Sequence, residues 1–213
     1  MTHDIFFDEQ THTYLVDGKN VSSVTEILAP LHRSYGKVNQ SVLDYAAARG
    51  TAVHEACELI DYGAEPEVYP EIEGYVRAYL DFLQVYRPRW THIEHIVYHD
   101  YGRYIGTLDR AGYLNGTEFA IVDIKTSQPT KEALVSVCLQ TYAYKMALQN
   151  QEPQYADIPI SRYGLFLKAD GNFRIVSCDE YEAKYDINEV NAWADLLNVR
   201  HVVDRLLATK ERK

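Results

Sequence analysis

The alternation of apolar and polar positions along the chain predicts an α/β protein. Apolar residues at helical spacing indicate long helices over about residues 41–61, 71–86, 131–148 and 187–210. Runs rich in β-branched and aromatic residues indicate strands at about 91–98, 104–114 and 119–125, and a further hairpin over 161–177. This order of helices and strands predicts a mixed central sheet flanked by helices.

The N-terminal 40 residues predict a β-hairpin followed by a short helix. The strand-like runs Phe6-Phe7-Asp8 and Thr13-Tyr-Leu-Val16, with Asp17-Gly18 as a turn, indicate a hairpin from about residue 5 to 22. Ser23 and Glu26 have the spacing of a capping box, in which each side chain accepts a hydrogen bond from the other residue's backbone N–H. The helix that starts there is expected to end near Pro30.

Length and composition indicate one large globular domain. The chain has 213 residues, of which 46% are hydrophobic and 24% charged. We divide it into residues 1–40 (N-terminal hairpin and short helix), residues 41–180 (core) and residues 181–213 (C-terminal helix). No apolar stretch approaches 18 residues and the N-terminus does not resemble a secretion signal, so we expect a cytoplasmic protein with no membrane partner.

The cysteines and the net charge limit which cofactors and binding partners the sequence can support. The three cysteines, Cys57, Cys138 and Cys178, are far apart and have no metal-binding spacing, which favours reduced thiols. A net charge of −10 argues against a general polyanion-binding surface. The objection is weaker for an acidic site that binds divalent metals, because the metals neutralise part of its charge.

The most informative stretch is a predicted hairpin with acids on both arms. Asp109 follows Gly106-Thr-Leu on the first arm, and Asp123-Ile-Lys125 lies on the second. Side chains alternate along a strand, so Asp123 and Lys125 share one face. Two carboxylates and a lysine on one sheet face are typical of a divalent-metal hydrolase site. An Asp-x-Lys triplet also occurs by chance, and most acids beside strands are merely solvated.

The register of this hairpin decides whether the two acids meet. If the loop is residues 115–117, then Leu114 pairs with Glu118 and Asp109 falls opposite Asp123. A two-residue Asn-Gly turn would shift the pairing by one position and send Asp123 to the far face. Both loops are compatible with the sequence.

Four more residues could belong to the same site. His54, in the middle of the helix over 41–61, is either a core histidine or a metal ligand. Gly50 in that helix suggests a close approach to another group, since glycine weakens a helix. Gln140 and Tyr144 share one helix face, where packing alone could explain the tyrosine. Glu94 is another acid that could reach a metal.

These residues, in this order and spacing, resemble the motifs of the PD-(D/E)XK nuclease superfamily, in its RecB-like and phage (lambda-type) exonuclease branch. The matching positions are His54, Asp109, Asp123-x-Lys125 and Gln140-x-x-x-Tyr144. The opening segment from His12 to Leu28 is also similar to the front of phage-encoded members. The resemblance implies a restriction-endonuclease-like core.

The resemblance further implies a metal centre. By residue-by-residue transfer, His54, Asp109 and Asp123 would bind Mg²⁺ or Mn²⁺, with two ions expected, helped by the carbonyl of Ile124 and by Glu94 as an additional acid. Members with an iron–sulfur cluster carry a cysteine set that three scattered cysteines cannot supply, so we expect none.

The remaining roles concern catalysis and DNA contact. Lys125 would orient the attacking water or stabilise the transition state, and Gln140 and Tyr144 would support the site and the DNA backbone. The cations proposed for phosphate contact are Arg33, Lys37 and Arg49, for each of which surface solvation is the simpler role.

The function implied is metal-dependent hydrolysis of phosphodiester bonds in DNA. We expect an exonuclease that acts on DNA ends in phage-type recombination or DNA processing, in the cytoplasm of a bacterial host. DNA, further copies of the chain and a single-strand annealing or recombination protein are the expected partners. The alternatives are an endonuclease, or a nuclease-fold protein that binds nucleic acid or regulates, with weak or no catalysis.

Overall fold

The computed structural model describes residues 3–8, 11, 13–31 and 39–210, with side chains as far as residue 207. His12 of the N-terminal motif and the proposed phosphate ligands Arg33 and Lys37 lie outside the described residues.

The described segments contain eight strands and six α-helices. The strands are β1 (Ile5–Asp8), β2 (Thr13–Val16), β3 (Lys19–Ser23), β4 (Arg89–His99), β5 (Tyr104–Leu114), β6 (Glu118–Lys125), β7 (Ser161–Leu167) and β8 (Phe173–Ser177). The helices are α1 (Val24–Leu28), α2 (Gln40–Asp61), α3 (Pro70–Tyr86), α4 (Lys131–Gln151), α5 (Cys178–Tyr185) and α6 (Glu189–Lys210). None of the helices in these segments is both long and apolar enough to cross a membrane.

The strands form one mixed sheet with helices on both faces, as the sequence predicts. One buried cluster joins the sheet to α1, α4 and α6 and includes Leu108, Ile121 and Trp193. A second cluster joins the other face to α2 and α3 and includes Phe82 and Val122. Residues that alternate along β6 therefore enter two different cores, which explains why this strand reads as a continuous apolar run.

Strand β5 is the centre of the sheet, and its neighbours leave a gap beside it. Antiparallel β4 pairs along one edge from Tyr104 to Tyr113. The other edge is shared, because β3 pairs in parallel at residues 104–105 and antiparallel β6 pairs at residues 110–114. On this edge residues 106–109 of β5 pair with neither β3 nor β6, and β5 and β6 diverge beyond the Arg110–Val122 pair. We call this gap the β5–β6 fork.

The three-residue loop determines the hairpin register. Leu114 pairs with Glu118 and Arg110 pairs with Val122, so the alternative two-residue turn is not formed. Asn115 and Gly116 both have positive φ (+48° and +81°), which asparagine and glycine tolerate better than other residues. Asp109 and Asp123 lie one position beyond the last ladder pair, Arg110 with Val122.

The N-terminal segment combines a confirmed prediction with an extension. Ser23 caps α1 by accepting a hydrogen bond from the Glu26 backbone, and Glu26 accepts one from the Ser23 backbone. The predicted turn at Asp17-Gly18 joins β2 and β3, β1 pairs with the other edge of β2, and β3 joins the main sheet through β5. The short helix is buried on its apolar side through Val24, Ile27 and Leu28.

Two details of the helices differ from the sequence expectation. The C-terminal region contains two helices, because Ser177 caps α5 and Asp186 ends it with φ of +52° before α6 begins at Glu189. In α2 the predicted apolar stripe is buried only in part, since Val42 and Tyr45 are more than half exposed. The first turns of α2 extend beyond the core, and helical periodicity alone does not reveal that.

Candidate active site

Asp109 lies at the β5–β6 fork and is anchored to the neighbouring strand. Its Oδ2 accepts a hydrogen bond from the backbone N–H of Ile124 at 2.6 Å. The residue is only 7% exposed, and its second oxygen, Oδ1, is 3.8 Å from Nδ1 of His54. One carboxylate oxygen is therefore fixed by the backbone while the other points toward the histidine.

Asp123 is fully buried and paired with a cation two residues along β6. Its Oδ2 lies 2.7 Å from Nζ of Lys125. Neither oxygen of Asp123 accepts a well-aligned hydrogen bond from any other described residue. Burial raises the pKa of Asp123 to about 6, because the attraction of Lys125 only partly offsets desolvation and the nearby Asp109 adds repulsion.

Lys125 is held from the opposite side by helix α4. Its Nζ donates to Oε1 of Gln140 at 3.2 Å, and Nε2 of Gln140 donates to the hydroxyl of Tyr144 at 3.0 Å. Burial acts to lower the pKa of Lys125, but Asp123 and Asp109 outweigh it and raise that pKa. The lysine is therefore a cation at neutral pH, and its position is fixed by a carboxylate and an amide.

A glycine allows α4 to approach the sheet here. A Cβ at Gly106 would meet the ring of Tyr144 at 2.8 Å and Val24 at 3.3 Å. Gly50, by contrast, has only an ordinary contact with Thr126, at 3.8 Å from an ideal Cβ. The close approach that Gly50 suggested is absent among the described residues, and the glycine that packs tightly against α4 beside this site is Gly106.

His54 reaches the fork from α2 with a defined tautomer. Its Nε2 lies 3.0 Å from the carbonyl oxygen of Ile124, which can only accept, so this nitrogen carries the hydrogen. In neutral His54 the lone pair is then on Nδ1, which faces the carboxylates of Glu94 and Asp109 at 3.6 and 3.8 Å. Burial opposes protonation, but Asp109 and Glu94 outweigh it and raise the pKa of His54.

Glu94 enters the site from β4 through an unusual backbone conformation. Its φ is +44°, a region that residues other than glycine rarely adopt within a strand. Possible ligand atoms of His54, Glu94 and Asp109 lie within 4.8 Å of one another. Strained residues of this kind are often found at functional sites, where surrounding contacts hold them.

Those contacts come from a buried arginine that sequence reasoning missed. Arg110 is 0% exposed and donates to Oε1 of Glu94 at 2.9 Å and to Oδ2 of Asp61 at 2.5 Å. Asp61 also accepts hydrogen bonds from Tyr79 and Trp90. The signal that could have revealed this network is the charged Arg110, which directly follows Asp109 in a mostly buried strand.

The donor set fits a divalent metal ion. Buried carboxylate oxygens without hydrogen-bond donors, as in Asp123, are costly unless a cation is near. The Nδ1 lone pair of His54 and the carboxylates of Glu94 and Asp109 converge from three elements. Carboxylate oxygens suit Mg²⁺ and Mn²⁺, and a metal-binding imidazole commonly donates its other N–H to a backbone carbonyl, as His54 does.

The site residues predicted from the sequence divide into three groups. The structure brings together His54, Asp109, Asp123, Lys125, Gln140, Tyr144, Glu94 and the Ile124 carbonyl. Arg49 lies apart from this network, with its guanidinium 5.2 Å from the centre of the Tyr75 ring. Arg33 and Lys37 lie outside the described residues.

Comparison with known families identifies the superfamily of this chain. The family model of the PD-(D/E)XK nuclease superfamily matches residues 31–211. The chain therefore belongs to the PD-(D/E)XK nuclease superfamily, whose members are metal-dependent nuclease hydrolases. A search of curated proteins found no match to this chain.

Proposed function

We propose that this protein is a metal-dependent DNA nuclease whose active site is the β5–β6 fork. The observation that carries the proposal is the Asp123–Lys125 ion pair of 2.7 Å beside Asp109, on adjacent strands of a nuclease-family sheet. A protein that only binds DNA has no need to bury two carboxylates and a lysine together, because doing so is costly. Hydrolysis of a phosphodiester uses all three.

We assign metal binding to Asp109, Asp123 and His54, with Glu94 as an additional ligand. A bound Mg²⁺ or Mn²⁺, or two such ions, would make a coordinated water more acidic and neutralise charge on phosphate oxygens. His54 keeps its Nδ1 lone pair aimed inward by donating Nε2–H to Ile124. The Ile124 carbonyl has a second lone pair, so it remains a proposed ligand as well.

Lys125 acts as a fixed positive charge in this proposal. Its raised pKa keeps it protonated, so it cannot serve as the general base at neutral pH. Its ammonium would orient the attacking water or stabilise the negative charge that develops on the phosphate. Gln140 and Tyr144 hold Lys125 in place through successive hydrogen bonds of 3.2 and 3.0 Å. Arg49, Arg33 and Lys37 remain proposed contacts for DNA phosphates.

We further propose the RecB-like and phage-exonuclease branch, action on DNA ends, and a role in phage-type recombination or DNA processing. The support is the series of site motifs and the capped N-terminal segment that resembles phage-encoded members. A cytoplasmic location in a bacterial host, homo-oligomers, a single-strand annealing or recombination partner and a single nuclease domain across residues 1–213 belong to the same proposal.

The test compares two aspartate variants on two forms of DNA. Wild-type protein with Mg²⁺ or Mn²⁺ should degrade linear DNA and leave closed-circular DNA intact. Asp109→Asn should lose cleavage, whereas Asp81→Asn, at an exposed position on α3, should retain it. Cleavage of closed circles would replace the exonuclease with an endonuclease. Undiminished cleavage by Asp109→Asn would contradict the site assignment.

The second candidate is a nuclease-fold protein that binds nucleic acid or regulates without cutting. The observation that favours it is the net charge of −10, which is unusual for a protein that must engage DNA along a track. Tight binding of DNA or RNA with no cleavage of any form in Mg²⁺, Mn²⁺ or Co²⁺ would support this candidate over the enzyme.

A further inference from the structure

A second group of metal-ligand side chains lies near β4 but outside the candidate active site. His92 and His95 are on β4, and Glu152 follows the last residue of α4. Oε1 of Glu152 is 3.0 Å from Nε2 of His92 and 3.3 Å from Nε2 of His95. The two imidazole rings are 4.6 Å apart, and all three side chains are partly or largely buried.

The strand places both histidines on one side because it is irregular. Residues three positions apart on a regular strand point to opposite faces. Glu94, which lies between the two histidines, has a φ of +44°. Its carboxylate contacts His54 and Arg110. His92 and His95 pair with Ala111 and Leu108 of β5, both of which belong to the core beside α4. The same backbone distortion thus supplies Glu94 to one site and two imidazoles to another.

Hydrogen bonds around His92 determine which nitrogen is free. The hydroxyl of Thr91 donates its hydrogen to the carbonyl of Ala111 at 3.1 Å. The same oxygen lies 2.9 Å from Nδ1 of His92 and must accept there, so Nδ1 carries the hydrogen. In the neutral ring the lone pair of Nε2 then faces Oε1 of Glu152, and two lone pairs at 3.0 Å repel unless a proton or a metal ion lies between them.

Glu152 is also oriented, and His95 presents beside it a nitrogen that is unpartnered among the described residues. Oε2 of Glu152 accepts from Nε2 of Gln154 at 2.7 Å, which turns Oε1 toward the histidines. Nε2 of His95 is buried and lacks a well-aligned hydrogen-bond partner in the described residues, although Oε1 of Glu152 is 3.3 Å away. A metal-binding carboxylate or imidazole typically has this outer support.

We propose that His92, His95 and Glu152 form a binding site for a transition-metal ion of the Zn²⁺ class. Two imidazole nitrogens and one carboxylate oxygen are a recurring zinc set, with a fourth position left for water. At Zn–ligand distances of about 2.0–2.1 Å, neighbouring ligands of a tetrahedron lie about 3.3 Å apart. The two contacts to Glu152, 3.0 and 3.3 Å, already approach that spacing. Imidazole nitrogen favours Zn²⁺ over Mg²⁺, so this site differs in metal preference from the fork.

The bound ion would fasten β4 to the end of α4. Both elements also build the candidate active site, β4 through Glu94 and α4 through Gln140 and Tyr144. The site is therefore structural in this proposal: it stabilises the frame that holds those residues. Zn²⁺ binding and the melting temperature can both be measured without any assay of nuclease activity.

The experiment is Zn²⁺ titration of chelator-treated full-length protein by calorimetry, with Co²⁺ absorption spectra as a second measurement. The Asp109→Asn variant removes a proposed metal ligand from the fork. It should still bind one Zn²⁺ ion, and that binding should raise its melting temperature. His95→Gln and Glu152→Gln should weaken this binding by more than about tenfold. The matched control His201→Gln, a partly buried histidine on α6, should bind as the wild type does.

Thr91→Val retains all three ligands and guards against misfolding of the ligand variants. It should weaken Zn²⁺ binding by about tenfold, because His92 loses the hydrogen bond that fixes its tautomer. Failure of the Asp109→Asn protein to bind Zn²⁺ would overturn the proposal. Equal Zn²⁺ affinity of the wild type, His95→Gln and Glu152→Gln would also overturn it. Either result would leave the nuclease proposal intact.

Discussion

Nζ of Lys125 lies 2.7 Å from Oδ2 of Asp123 on β6 and donates to Oε1 of Gln140 on α4. The pair adjoins the fork, where Asp109 and Ile124 connect the diverging strands through a hydrogen bond of 2.6 Å. A buried carboxylate with one cationic neighbour and no aligned donor is incompletely stabilised. A bound metal ion would supply the further positive charge that stabilises the Asp123 carboxylate.

Metal binding should therefore stabilise the protein more at pH 7.5 than at pH 5. Asp123 has a pKa of about 6 in the folded protein, whereas an unfolded aspartate ionises near 3.9. The folded pKa is raised, so its contribution to stability is present below about pH 4 and is lost as pH rises through 6. Above that pH the carboxylate is free to bind Mg²⁺, and the raised pKa of His54 adds proton competition at low pH.

The measurement is thermal unfolding with and without Mg²⁺ at both pH values. A hundredfold excess of metal over Kd gives about 2.7 kcal/mol, or about 5–10 °C for a chain of this size. Asp123→Asn should abolish most of the difference between the two pH values. An equal rise in melting temperature at pH 5 and pH 7.5 for the wild type would contradict the role given to Asp123.

Two glycine-to-alanine substitutions should have opposite effects. At Gly106 a Cβ would meet the Tyr144 ring at 2.8 Å, so the alanine displaces Tyr144 and costs about 1–3 kcal/mol. At Gly50 the nearest atom is 3.8 Å away, so the alanine should stabilise α2 by about 0.5–1 kcal/mol. Urea unfolding measures both. The rate of DNA cleavage by Gly50→Ala tests whether DNA approaches the turn of α2 that contains Gly50. If DNA does approach it, cleavage should fall although the free protein is more stable.

Loss of the buried arginine should destabilise the whole frame. Arg110→Met leaves Asp61 and Glu94 without their shared cation, and breaking a buried pair in this way costs about 3–5 kcal/mol. Arg174→Met, at an exposed position on β8, is the matched control and should change stability by less than about 0.5 kcal/mol. Chemical unfolding of the two variants is the measurement, and similar free energies of unfolding would show that Arg110 is dispensable.

Much of the fold could be predicted from local signals in the sequence. Features that depend on contacts between distant residues could not. The Ser23–Glu26 capping box is confirmed because its hydrogen bonds stay within one helical turn. The Leu114–Glu118 pairing was one of two registers that Asn-Gly permits, and the longer loop is the one formed. Helix α5 was missed because its eight residues are mostly polar and offer little periodicity.

In the candidate site too, some features could be predicted from the sequence and others could not. The order and spacing of Asp109, Asp123 and Lys125 predicted that the three lie close together, because a hairpin brings its two strands side by side. The Arg110–Asp61 pair was not predicted, because its partners lie 49 positions apart and only the packing of α2 on the sheet unites them. The positive φ of Glu94 is likewise invisible in a sequence that contains no glycine there.

The most direct test of the central claim is cleavage of linear DNA by Lys125→Met in Mg²⁺ or Mn²⁺. Removing a preorganised charge from the reacting centre costs about 10²–10³ in rate, so cleavage should fall by about that factor while the protein remains folded by circular dichroism. Lys184→Met, an exposed lysine on α5, is the matched control and should cut as the wild type does. Cleavage by Lys125→Met at the wild-type rate would contradict the account.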